Sequence, residues 1–243
     1  MRFSYKHMNP VLAWAGFIFW VLAATSPAAA AAEACPTVGR IDLAVDELDP
    51  PVRHVFDRTT GQLSAMPGRG HGPQGAIKSA VLGLTVVRFG FVSEIGAIFS
   101  LGPNATVCGR MNLLKVSFGY QERTVYVARE LPRDTCIHGE VLAHEMKHVK
   151  VDDELLAEYI EIVRKRLEAF VARLGPTVSR SQNHAMTVMR GQVDRELAAL
   201  NREFTRERDR RQMQIDTIQE YRRVTDSCNG EALKYLKGRK PHM

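Results

Sequence analysis

Apolar and polar positions change rhythm once along this chain, near residue 136. Before that point they alternate in short runs. Arg40 to Leu48 alternates well enough for a strand, and Asp49-Pro50-Pro51 ends it. Ala80 to Leu101 is strongly apolar with scattered glycine, which predicts one or two buried strands. Leu114 to Phe118 and Arg123 to Arg129 flank Gly119-Tyr120-Gln121-Glu122, which predicts a β-hairpin. In its second strand Val125 and Val127 share one face.

After Cys136 the period lengthens to that of a helix. From about Gly139 to Leu174, the residues Val149, Leu156, Ile160, Val163, Leu167, Phe170 and Leu174 fall on one stripe, and Gly175-Pro176 breaks it. A second stretch from about Ser181 to Thr225 carries Val193, Leu197, Leu200, Phe204, Ile215 and Ile218 on its stripe. Two long helices across a short break predict an antiparallel helical hairpin. The expected fold class is therefore α+β, a β-rich part with a hairpin (33–135) packed on a long antiparallel helical hairpin (136–228).

The ends of the chain stand apart from this pattern. Arg2 and Lys6 precede an uncharged apolar run, Val11 to Ala24, and the small residues Ser26 to Ala32 follow it. That order predicts a secretory signal peptide over 1–32. Its 14 apolar residues are short for a membrane span, so no stable membrane insertion is expected after processing. A single domain then fills 33–230, and 231–243 is a basic tail. Losing Arg2 and Lys6 takes the formal charge from +6 to +4, and nucleic acid is not an expected partner of an exported chain with so modest a charge. The product would be periplasmic or extracellular. Gly70-His71-Gly72-Pro73-Gln74-Gly75 lies in a Gly- and Pro-rich loop over Thr59 to Gly75, but Lys78 misses the spacing of a phosphate-binding loop.

Four cysteines, Cys35, Cys108, Cys136 and Cys228, follow the predicted cleavage point. An even number in an exported chain predicts two disulfides with three possible pairings, and no Cys-x-x-Cys is present to suggest a thiolate metal site.

The candidate chemistry lies in His144-Glu145-Met146-Lys147-His148. Residues four apart lie on one helical face, so the two imidazoles can reach one Zn²⁺ at ~2.0–2.1 Å. Glu145, beside the first histidine, is placed as general base towards an activated water. If the helix continues, Asp152 and Glu154 rise ~6 and ~9 Å beyond His148, so the third ligand should come from the partner helix. Counting the residues between each histidine and Leu174, and the same number forward from Arg180, lands near 210 and 206. Of the two carboxylates there, Glu207 lies about 60° from the apolar stripe and Asp209 about 140°. Glu207 is the expected third ligand. Asp152, on the core side of the first helix, is expected to orient His148 through its free ring nitrogen. The same count puts Ile218 opposite Cys136. A chain that folds back after the second helix would then pair Cys228 with Cys136 and leave Cys35 for Cys108.

The segment Cys136-Ile137-His138-Gly139-Glu140-Val141-Leu142-Ala143-His144-Glu145-Met146-Lys147-His148 resembles a family of secreted bacterial zincin-like domains thought to be zinc-dependent proteases. In that family a second long helix carries Asn-x-x-[Tyr/Phe]-x-x-Glu, and Asn201-Arg202-Glu203-Phe204-Thr205-Arg206-Glu207 is similar. The likeness spans Leu113 to Cys228. It implies His144, His148 and Glu207 as metal ligands and Glu145 as catalytic acid and base. Family members carry His-Gly shortly after the Glu, where this chain has Asp209-Arg210-Arg211.

The resulting expectation is an exported zinc metallopeptidase. A peptide or protein substrate would add as a strand along Arg123 to Arg129. The competing expectation is an envelope binding or scaffold protein with a structural or vestigial metal site. Metal content beside that of Glu145→Gln separates the two.

Overall fold

The computed structural model describes residues 35, 39–66 and 81–236. The predicted signal peptide, the loop around Gly70 to Lys78 and the last seven residues of the basic tail lie outside them. Strand β1 (Asp42–Leu48) is followed by β2 (Arg53–Val55), helix α1 (Thr60–Ala65) and the long strands β3 (Gly83–Leu101) and β4 (Val107–Val127). Then come α2 (Cys136–Ala172), β5 (Thr177–Ser179), α3 (Gln182–Ile215), α4 (Ile218–Gly230) and α5 (Ala232–Leu236).

Strand β4 organises the sheet. Along one edge it pairs antiparallel with β3 over the whole length, from Gly83 opposite Val127 to Leu101 opposite Val107. Its other edge takes β5, β1 and β2 in succession, at Val107–Gly109, Leu113–Gly119 and Thr124–Tyr126. β1 and β2 run parallel to β4 and β5 antiparallel, so the five-stranded sheet is mixed.

Two expectations are corrected here. No hairpin forms at Gly119 to Glu122, because that segment lies inside β4. The reversal comes at Gly102-Pro103-Asn104, where Asn104 and Ala105 take φ of 54° and 57°. Gly119 serves a different purpose. Its φ is 141°, and a Cβ there would stand 2.2 Å from the Leu48 carbonyl oxygen, so only glycine lets β1 finish against β4. A register shift opposite Arg88 and Phe89 follows at once and changes which side chains of β4 face inward. Arg123 to Val127 is no sheet edge either, since β2 and β3 flank it on both sides.

The fold class is corrected as well. The chain is a mixed α/β fold with helices layered on one five-stranded sheet, rather than an α+β fold in which a β-rich part with a hairpin packs on a long antiparallel helical hairpin. The link between the long helices is itself a strand, β5, paired with Val107–Gly109. Leu114, Val116, Phe118 and Tyr120 of β4 are buried against Leu155, Val163 and Leu167 of α2 and Val193, Leu197 and Leu200 of α3. Phe204 of α3 joins the layers, stacked on Phe89 at 4.1 Å and edge-on to Phe118 at 5.3 Å and Tyr159 at 5.1 Å. Burying each such ring or aliphatic side chain is worth about 1.5–3 kcal/mol.

The second helical stretch is broken in two. Asp216 leaves α3 with φ −78° and ψ 53°, and the Thr217 hydroxyl accepts from Glu220 N at 3.1 Å to start α4. Ile218, expected on the buried stripe, is 52% exposed. Thr60–Ala65, expected to be loop, is a short helix with a Thr59–Gln62 capping box. The first residues of the expected tail belong to the fold, since Ala232 is buried in a second cluster with Leu63, Val127, Leu131, Ile137 and Val141.

Cys35 pairs with Cys108 and Cys136 with Cys228, at Cα separations of 5.6 and 5.8 Å, the pairing expected. Two such bonds belong to an oxidising environment. No helix among the described residues is long and apolar enough to cross a membrane.

Candidate metal centre

Helix α2 begins at Thr135, whose hydroxyl accepts from His138 N at 3.4 Å. Two turns later His144 and His148 emerge on one face, both buried, with ring centroids 5.0 Å apart and nearly perpendicular. The corner between α3 and α4 lies over them and delivers Asp216. His144 Nε2 and His148 Nε2 are 3.3 Å apart, and Asp216 Oδ1 lies 3.4 Å from the first and 3.3 Å from the second. Three donors on a tetrahedron around an ion at ~2.0–2.1 Å would be separated by about 3.3–3.4 Å. The cluster therefore fits a metal ion with one position left open. Among the described residues no other group of three His, Cys, Asp or Glu converges in this way.

Each histidine is also held from behind. His144 Nδ1 is 3.4 Å from Glu220 Oε1, which accepts from Lys147 Nζ at 2.6 Å and Arg223 Nη2 at 3.0 Å. Arg223, then Lys147 and His144, draw the Glu220 carboxyl down to about 2 against the opposing effect of burial. His148 Nδ1 meets Gln212 Oε1. Tyr221 donates from its hydroxyl to Asp216 Oδ1 at 3.2 Å, and its ring lies 5.7 Å from that of His144. Such outward partners are what fixes the orientation of ligating imidazoles.

Glu207, expected as third ligand, is absent from this cluster. Its carboxylate accepts from Arg210 at 2.8 and 2.6 Å and from Arg211 at 2.7 Å. The cause is register. Gln212, not residue 206, meets His148, and Arg208 meets Asp152, so α3 is displaced by six residues from the count. That count took the helices to end level. Laying β5 along Val107–Gly109 instead starts α3 beyond the end of α2. The Asp152 carboxylate lies behind His148 as expected, but reaches its free ring nitrogen through Gln212 rather than directly: Gln212 Nε2 donates to Asp152 Oδ1 at 2.6 Å and its Oε1 meets His148 Nδ1. The cysteines have no part in the cluster, being disulfide-bonded.

Glu145 faces the sheet. Thr85 Oγ1 donates to its Oε2 at 2.8 Å, and a Cβ on Gly83 would stand 2.6 Å from its Oε1. The glycine is what lets this carboxyl lie under β3. Burial pushes the Glu145 carboxyl above its ordinary range, against the opposing charges of His148 and His144 and the Thr85 hydrogen bond. A carboxyl so raised is suited to carrying a proton.

Asp216 and His148 titrate as partners in the metal-free protein. Burial works against both charges, but the hydrogen bonds from His144 and His148 outweigh it and hold Asp216 well below the carboxylate range, while the hydrogen bond to Asp216, followed by the Glu145 charge, raises His148. The raised histidine contributes stability that is full below the ordinary value of about 6.5 and lost as pH rises through the folded value. The depressed Asp216 contributes stability lost only deep in the acid range. Urea unfolding of the metal-free protein should therefore show wild type gaining on Asp216→Asn as pH falls from about 8 to about 6. A constant difference across that window would contradict the pairing.

Comparison with protein-family models, curated proteins and solved structures finds no match for this chain. Asp216, Gln212, Glu220, Tyr221 and Thr85 escaped the sequence reading. One local signal was present, Thr217-Ile218-Gln219-Glu220, a capping pattern that ends one helix and starts another at the residue that matters.

Proposed function

We propose that this chain is an exported zinc-dependent peptidase of the zincin-like kind, acting in the periplasm or outside the cell. The observation that carries the proposal is the triangle of His144 Nε2, His148 Nε2 and Asp216 Oδ1, with sides of 3.3–3.4 Å. Two imidazoles and one carboxylate select a borderline transition ion such as Zn²⁺ over Mg²⁺ or Ca²⁺, which take oxygen donors. Three protein ligands favour catalysis over the structural role of a scaffold protein, whose zinc is closed by four. The two disulfides support export.

Zinc, when bound, supplies Lewis-acid chemistry, polarising a carbonyl and acidifying water. The chain's own residues do the rest. Glu145 takes the proton released by the attacking water and hands it to the departing amine nitrogen. Burial, which raises this carboxyl above its ordinary range, suits it to holding the proton between the two transfers. Thr85 holds one oxygen of that carboxylate by a hydrogen bond. Tyr221, hydrogen-bonded to Asp216, keeps the ligand carboxylate in its orientation. The edge of β3 away from β4 has no strand partner among the described residues, and its first residues, Gly83 to Thr85, touch Glu145. An extended peptide adding there would bring its backbone to the general base.

Glu145→Gln is the test. The variant should keep zinc at wild-type stoichiometry and lose peptide hydrolysis by a factor of about 10²–10⁴, the usual contribution of a general base. Hydrolysis at the wild-type rate in this variant would remove Glu145 from the mechanism.

A further inference from the structure

Behind the centre runs a line of hydrogen bonds with a fixed direction. We propose that Arg208, acting through Asp152 and Gln212, holds His148 in the one tautomer that can ligate, before any metal arrives. The inference rests on His144, His148 and Asp216 being a metal centre.

The direction follows from what each group can and cannot donate. A guanidinium only donates. Arg208 gives Nε to Asp152 Oδ1 at 2.8 Å and Nη2 to Oδ2 at 3.0 Å. Asp152 is fully buried, and as a carboxylate paired to Arg208 it only accepts. Gln212 must therefore turn its amide nitrogen towards it, and Nε2 donates to Asp152 Oδ1 at 2.6 Å and to the His148 carbonyl at 3.1 Å. Both amide protons are then committed, so the oxygen is the end left to face His148 Nδ1. An amide oxygen cannot donate, so Nδ1 keeps its proton, and when the ring is neutral it is Nε2, facing Asp216, that has given its proton up. That bare nitrogen is the one 3.3 Å from both His144 Nε2 and Asp216 Oδ1. The opposite tautomer would aim an N–H into the place a metal must occupy. Arg208 and Asp152 thus act as positioning residues at one remove. Glu220, held as a carboxylate by Lys147 and Arg223, can likewise only accept and gives His144 Nδ1 a comparable acceptor directly, with no amide between.

The test removes the acceptor behind Gln212 and then supplies another. Asp152→Leu leaves the Gln212 amide with no carboxylate to fix it, so it can offer either end to His148. Imidazole ¹⁵N spectra of the metal-free protein, taken where the rings are neutral, should show part of the His148 population with its proton moved to Nε2. Affinity for Zn²⁺ alone, measured by chelator competition, should fall about 10-fold. Adding Gln212→Glu to that variant supplies a carboxylate that can only accept from Nδ1–H. The double variant should recover the original tautomer and most of the zinc affinity. A purely structural Asp152 would lose stability in both variants and leave the tautomer alone. An Nδ1–H ring with unchanged zinc affinity in Asp152→Leu, or a double variant that restores neither, overturns the proposal. If the single variant does not fold, Gln212→Met at its half-buried position carries the test, and both tautomers should appear. A pure Nδ1–H population there overturns it too. A wild-type chain that binds no zinc would defeat the metal reading, while the ¹⁵N spectra would still judge the relay.

Discussion

Asp216→Ala leaves the purified protein without stoichiometric zinc, and Glu207→Ala leaves its zinc content unchanged. The first half follows from the triangle, in which Asp216 Oδ1 stands 3.4 and 3.3 Å from the two histidine Nε2 atoms. Without it two imidazoles remain, and two donors do not make a stable zinc site. His144→Ala and His148→Ala should do the same. The second half follows from Arg210 and Arg211, which already hold both oxygens of Glu207. Elemental analysis of the three ligand variants and the Glu207 variant decides between the two acids. Zinc lost with Glu207 and kept without Asp216 would restore the ligand set that the family resemblance implied.

The second large effect belongs to the Cys136–Cys228 bond. Helix α4 carries Glu220 and Tyr221 and follows directly on Asp216, yet none of its residues is fully buried. It is tied to α2 by the disulfide and by ion pairs, Arg223–Glu140 at 2.5 Å and Glu220–Lys147 at 2.6 Å. Partly exposed ion pairs of this kind contribute about 0–1 kcal/mol each, so the covalent tie dominates. Closing a loop of 92 residues contributes about 4–5 kcal/mol in the chain-entropy model. Replacing both cysteines by serine should therefore lower stability by up to that amount and weaken zinc binding about 5–150-fold, the usual range of coupling between sites. The Cys35–Cys108 bond, with a separation of 73 residues, provides the control. Its loss should cost similar stability, but it lies at the end of β4 away from Gly83 and Glu145, so zinc affinity should hold. Equal zinc affinity in both cysteine-pair variants would show that α4 keeps its place without the bond.

What the sequence made legible was local. The i,i+4 spacing of His144 and His148 and the stripes through Leu156, Val163, Leu197 and Phe204 depend only on helical period, and all of them are buried. The non-local features were harder to read. Gly119 suggested a turn, because a glycine that admits a neighbouring backbone and one that reverses the chain look alike in sequence. The true reversal had its own stronger mark in Gly102-Pro103-Asn104. A six-residue displacement of α3 against α2 was enough to exchange Asp216 for Glu207, since each turn of helix presents a fresh candidate. The cysteine pairing survived that displacement. Moving residues six places along α3 reduces how far the chain must fold back before Cys228 meets Cys136, so the error worked in its favour.

The proposed zinc ion, held by His144, His148 and Asp216 with one position left open, has its own spectroscopic signature. The zinc K-edge absorption spectrum of the purified protein reads that ligand set. It should show one zinc per chain with four light-atom neighbours at about 2.0–2.1 Å, two of them with the multiple scattering of imidazole, and should be abolished by Asp216→Ala. A sulfur neighbour, a six-oxygen shell, or a protein that takes up no zinc would contradict it.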